Sequence, residues 1–96
     1  MMRISSLIRY KLRKKKSIEF ISDEFELNYL DKELCKCKMF GVDTEFDWRS
    51  TYFPKLSLIQ ISTLEKIFLI DCVKISPKVI LKKYIQNKNY LKIFHS

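Results

Sequence analysis

The chain has 96 residues, 47% of them hydrophobic and 14% aromatic, and carries a formal net charge of +8. A chain of this length makes one small domain or part of a larger one, and its apolar content excludes a disordered polypeptide. No apolar run approaches the roughly 20 residues of a membrane-crossing helix, so no membrane partner is expected.

The charge is unevenly spread. Residues 1–16 hold seven Arg or Lys and no acid, whereas the remaining 80 hold 12 bases and 11 acids. The basicity therefore belongs to an N-terminal arm, residues 1–16, and not to the domain in 17–96. Such an arm attracts polyanions. It also fits a solvated leader, or an Arg- and Ser-containing organellar transit peptide. Cys35, Cys37 and Cys72 are an odd number and make no disulfide framework, which fits reduced thiols and a cytoplasmic location, or an organellar one if the arm is a transit peptide.

In chain order, "SIEFIS" (17–22) reads as a short strand. Ser22 is placed to cap a helix whose first turn holds Asp23 and Glu24, favourable at the positive end of the dipole. Leu27, Leu30 and Leu34 repeat at helical spacing. "KMFGVDTEF" (38–46) is a strand, and "RSTYFP" (49–54) a loop closed by Pro54. "KLSLIQIST" (55–63) and "KIFLIDCV" (66–73) are β-rich runs whose short gap predicts an antiparallel hairpin. Ser76 and Pro77 open a second helix with Ile80, Leu81, Tyr84 and Ile85 on its apolar face. "YLKIFH" (90–95) is a final strand. The order strand, helix, three strands, helix, strand predicts an α/β domain, a mixed sheet flanked by helices. Ser96 directly follows an apolar strand, and natural domains seldom leave such a strand unprotected. A fragment is expected.

The central strand poses the chemical question. Alternation puts Phe40, Val42, Thr44 and Phe46 on one face and Gly41, Asp43, Glu45 and Asp47 on the other. Asp43 and Glu45 then start about 6.6 Å apart at their α-carbons, with carboxylates able to lean toward one point. Two such charges repel when half-buried. A hard divalent cation such as Mg²⁺ prefers carboxylate oxygens and relieves that repulsion. The alternative is an acidic strand face turned to water.

The stretch "GVDTEFDWRSTYFPKLSLIQIS", with "IFLIDC" and "LKIFHS" after it, resembles the ribonuclease D group of the DEDD 3′–5′ exonuclease superfamily. The likeness runs from residue 18 to 96 and leaves the basic arm outside. It implies a ribonuclease H-like fold and two-metal hydrolysis of nucleotides from the 3′ end of single-stranded RNA, or of DNA. It further implies Asp43 and Glu45 as catalytic metal ligands for two Mg²⁺ or Mn²⁺ ions. The second catalytic acid of the family falls after the "IFHS" match, and its third motif has no counterpart in these 96 residues, so the chain alone is expected to be inactive. Thr44, Phe46, Trp48, Arg49 and His95 are candidates for touching substrate, with core packing favoured for Thr44 and Phe46. Gln60 fits an ordinary sheet position and Asp71 a turn or cap. A non-catalytic nucleic-acid-binding or interaction module, with affinity from the arm, is the alternative function.

Overall fold

The computed structural model describes residues 16–47 and 55–94. Trp48, Arg49 and His95, the predicted loop and nearly all of the basic arm lie outside the described residues. The elements are β1 (Ser17–Ile21), α1 (Glu24–Leu34), β2 (Met39–Asp47), β3 (Lys55–Ser62), β4 (Lys66–Asp71), a short α2 (Lys78–Ile80) continued by a π-helical stretch (Leu81–Ile85), and β5 (Leu91–Phe94). They assemble into one five-stranded sheet of order β1-β4-β3-β2-β5.

The sheet is mixed. β2–β3 and β3–β4 pair antiparallel, while β1–β4 and β2–β5 pair parallel. The two helical crossovers, β1 to β2 and β4 to β5, both move across the sheet in the same direction. Right-handed crossovers that move the same way must place their helices on the same face. Both helical segments accordingly meet one core. Leu27, Leu30 and Leu34 of α1, with Ile80 and Tyr84 of the second crossover, pack on Ile21, Phe40, Val42, Ile59, Ile61, Phe68 and Ile70. By register these sheet residues share a face. Each large side chain fully buried there contributes about 1.5–3 kcal/mol. Among the described residues, the expected flanking by helices is realised on that face alone. On the other face Ile18, Phe20 and Leu91 are exposed.

Local chemistry adjusts the expected boundaries. The cap of α1 is Asp23, not Ser22: its carboxylate accepts the Glu26 N–H at 2.7 Å. Glu26 reaches back to the Ser22 N–H at 3.1 Å, so the two side chains satisfy donors reciprocally. β4 ends at Asp71 because that carboxylate accepts the Val73 and Lys74 N–H groups and turns the chain. The second helix departs from α geometry after one turn, with the Gln86 N–H donating to the Leu81 carbonyl at 2.8 Å. This wider turn still leaves Ile80 and Tyr84 buried on the core.

Two side-chain networks tie the crossovers down. The Tyr84 hydroxyl, on a fully buried ring, donates to the Asp31 carboxylate and to the Asp31 carbonyl, the latter at 2.8 Å. Lys83 joins the same carboxylate at 2.9 Å. At the opposite end of the sheet from Asp71, the Lys66 ammonium donates to the Tyr29 hydroxyl and meets Glu33 at 2.9 Å and Glu19 at 3.3 Å. This set joins β1, α1 and β4.

Candidate functional site

The acidic pair sits on β2, which lies between β3 and β5. Beneath it, Phe40 is held by an aromatic group. Its ring stacks on Tyr90 at 5.5 Å and meets Tyr84 edge-on at 5.9 Å. Phe40 and Val42 thus anchor the strand on the core face, and alternation turns Asp43 and Glu45 the other way. Both acids are exposed. One Asp43 oxygen accepts the N–H of Thr44 at 2.9 Å, which fixes the rotation of the carboxylate and leaves its second oxygen turned away from that contact.

The register supplies the neighbours. Asp43 stands opposite Gln60, and Glu45 opposite Leu58. Such partners have Cβ atoms about 4.5–5.5 Å apart, so the half-buried Gln60 amide is within reach of Asp43. Along the next strand, Asp71 pairs with Leu58, which puts it in the row of Glu45, about 10 Å away at the α-carbons from two strand spacings. Its carboxylate is taken by the turn that follows. Asp47 is half-buried at the end of β2.

A bulge lies directly beside the acids. Glu45 pairs with Leu58 and Phe46 with Leu56, so Ser57 is an extra residue on β3. The Ser57 hydroxyl donates to the Glu45 carbonyl at 3.0 Å, and the Ser57 carbonyl accepts the Cys72 N–H at 3.0 Å. An inserted residue of this kind bends the strand and inverts its alternation. Leu56 packs against the core although it shares parity with Leu58 and Gln60, which belong to the acid face. The bulge is legible in the sequence once sought. The apolar phase of "KLSLIQIS" slips between Leu56 and Ile59.

The sequence-derived candidates now separate. Asp43 and Glu45 come together on one face, as alternation requires. Thr44 and Phe46 occupy the core face by register but are not packed as expected. Thr44 is exposed and Phe46 is 47% exposed. The buried core of β2 stops at Val42, so among the described residues no helix covers the even-numbered face beyond it. Gln60, read as an ordinary sheet position, proves to be the direct cross-strand partner of Asp43.

Asp43 and Glu45 offer hard oxygen donors suited to Mg²⁺ or Mn²⁺. Among the described residues, no group of three or more His, Cys, Asp or Glu is gathered that could hold a metal ion. The pair alone falls short of such a group.

The fold is a mixed α/β sheet with helices on one face and an exposed acid pair on an inner strand. A sequence profile described as 3′–5′ exonuclease matches residues 18–96, and the chain belongs to that family. Ribonuclease D of Desulfotalea psychrophila is 35% identical over 81 residues, covering 83% of this chain and 22% of that protein. The catalytic core of RRP6 from Trypanosoma brucei superposes with a TM-score of 0.76 at 26% identity, over 85% of this chain and 23% of that one. Escherichia coli RNase D, described as an exoribonuclease involved in structured RNA processing, gives a TM-score of 0.68 at 31% identity, over 80% and 20% of the two chains. Within its family the chain is thus ribonuclease D-like. It spans about a fifth of the length of these relatives.

Proposed function

We propose that the protein acts in 3′–5′ exonucleolytic hydrolysis of RNA, with Asp43 and Glu45 as its contribution to a two-metal catalytic site. The observation that carries this reading is the pair itself: two exposed carboxylates, two residues apart, on the same face of a strand held between β3 and β5. Asp43 and Glu45 would hold Mg²⁺ or Mn²⁺, which when bound supplies activation of the attacking oxygen and charge relief at the leaving oxygen of a phosphodiester. The Thr44 N–H holds one Asp43 oxygen, and the Gln60 amide opposite is placed to steady the carboxylate. Thr44 and Phe46 are exposed on the opposite face of the same strand, where a hydroxyl and an aromatic ring could meet a nucleotide that passes the strand. The substrate is a single-stranded RNA 3′ end, a reading supported by the ribonuclease D likeness. The proposed location is cytoplasmic, or organellar if residues 1–16 are a transit peptide.

Mg²⁺ demands near-octahedral oxygen coordination, and two carboxylates supply a minority of such a shell. The 96 residues by themselves are accordingly expected to bind the cation without turning over RNA. Titration of Mn²⁺ into the purified chain by calorimetry, with Asp43→Ala beside it, tests the reading. Binding that disappears in the variant supports the metal site, whereas identical binding in both proteins removes it. Cleavage of a 3′-labelled RNA by the chain, lost in Asp43→Ala, would overturn the expected inactivity and keep the site.

A further inference from the structure

At the end of the sheet remote from Asp71, the β3–β4 hairpin and the α1–β2 connection enclose a recess of about 400 Å³. Its apolar wall is formed by Met39, Leu64 and Phe68, and Lys36 and Lys38 stand on its rim as exposed side chains. Lys66 also lines it but is engaged by Glu19, Glu33 and Tyr29. Of the two acids in the lining, Glu33 is already neutralised by Lys66 and Lys36, and Glu65 is exposed on the hairpin. Lys36 pairs with Glu33 at 3.2 Å while 71% exposed. A surface pair of that kind is worth little and yields readily to a phosphate.

The recess is also where the basic run enters the domain. Lys16 Nζ donates to the carbonyl of Thr63, a lining residue, at 2.6 Å. Lys16 is the last of the seven basic residues in 1–16, a stretch with no acid. An apolar wall, two exposed ammonium groups on its rim and the Lys16 side chain thus converge on one concave site. Stacking or burial of a base with cationic capture of its phosphates is the chemistry of single-strand binding.

We propose that this recess is an RNA-backbone site that holds the strand upstream of its 3′ end. The proposal rests on the reading of the domain as an RNA exonuclease and adds a second place of contact. Met39 borders the recess and lies four residues before Asp43 on the same strand, about 13 Å by the strand rise. Glu33 and Phe68 set the recess on the helix-covered side while the acids face the other way, so at about 3.4 Å per stacked nucleotide the recess meets RNA at least about four nucleotides from the end that reaches the acids. Short RNAs cannot bridge the two places, and longer ones can.

The test is binding of a fluorescent RNA 12-mer to the whole chain in EDTA, across salt concentrations. Working without divalent cations makes the result independent of Asp43 and Glu45. Each single-strand phosphate contact contributes about 0.7 to the slope of log affinity against log salt. Lys36→Gln with Lys38→Gln should lower the 12-mer slope by about 1.4. Over a fourfold rise in salt, wild type then loses about 7-fold more affinity for the 12-mer than the variant does. Lys74→Gln with Lys78→Gln removes the same charge at the other end of the sheet and should leave the slope alone. An unchanged slope in the first variant, or an equal fall in the second, overturns the proposal. Mn²⁺ titration of the same variants reports on the acid pair separately.

Discussion

Tyr84→Phe is a sensitive probe of how the second crossover is fixed. The ring is fully buried, and its contacts with Phe40 at 5.9 Å and Tyr90 at 5.1 Å survive in phenylalanine. Only the hydroxyl is lost, along with its bond to the Asp31 carboxylate and carbonyl. A hydrogen bond to a charged group is worth about 1.5–3 kcal/mol, so a loss of about 2 kcal/mol is expected at pH 7. For a domain of this size that lowers Tm by about 8–16 °C. The pH dependence adds a second check. Burial works against the Asp31 carboxylate, but the Tyr84 hydroxyl and Lys83 outweigh it and hold its pKa below the usual 3.8. A depressed folded-state pKa stabilises above the unfolded value and ceases to do so as pH falls through the folded one. Tyr84 itself stays protonated, since burial and Asp31 raise its pKa. The cost of Tyr84→Phe should therefore be full at neutral pH and shrink once Asp31 protonates. Urea unfolding of both proteins at pH 7 and at about pH 2.5 measures it. A cost under about 0.5 kcal/mol at pH 7, or one equal at both pH values, would refute the reasoning.

Other consequences are equally accessible. Bonds from Lys66 and Lys36 hold the Glu33 pKa at about 2 against an ordinary 4.5, so Glu33 adds stability above pH 4.5 that is lost between there and about pH 2. Glu33→Gln should flatten that part of an acid-unfolding curve followed by circular dichroism. Phe40→Ala, at the centre of the aromatic group, should cost about 3–5 kcal/mol in chemical unfolding, a large share of a small domain's stability. Gln60→Leu keeps sheet packing but removes the amide opposite Asp43. Calorimetry should show weaker Mn²⁺ binding at an unchanged Tm, and unaltered binding would remove Gln60 from the site.

Much of this architecture was legible in the residues. The element order follows from periodicity and turn chemistry, and the acid pair from simple alternation along β2. What alternation alone missed has local causes. Thr44 and Phe46 carry the parity of core residues, but parity names a face and not whether a helix covers it. The cap moved from Ser22 to Asp23 because both suit the role and the final choice depends on where β1 ends. The departure of Leu81–Ile85 into π geometry has no signature in the local sequence. That Gln60 stands opposite Asp43 is a matter of cross-strand register, which a single strand's sequence does not contain.

Ser57 has a consequence for how this sequence can change. It acts as a parity correction: one added residue lets Leu56 face the core while Leu58 and Gln60 line the acid side. Substitutions in β3 alter single contacts and leave that assignment standing. Deleting Ser57 would restore strict alternation with Leu56 still opposite Phe46 on the core side and Lys55 still opposite Asp47, removing the bulge and its hydroxyl bond to Glu45. Over this stretch residue count matters as much as residue identity: loss of Ser57 keeps the two faces as they are, whereas loss of a paired residue such as Leu58 exchanges them unless the bulge closes.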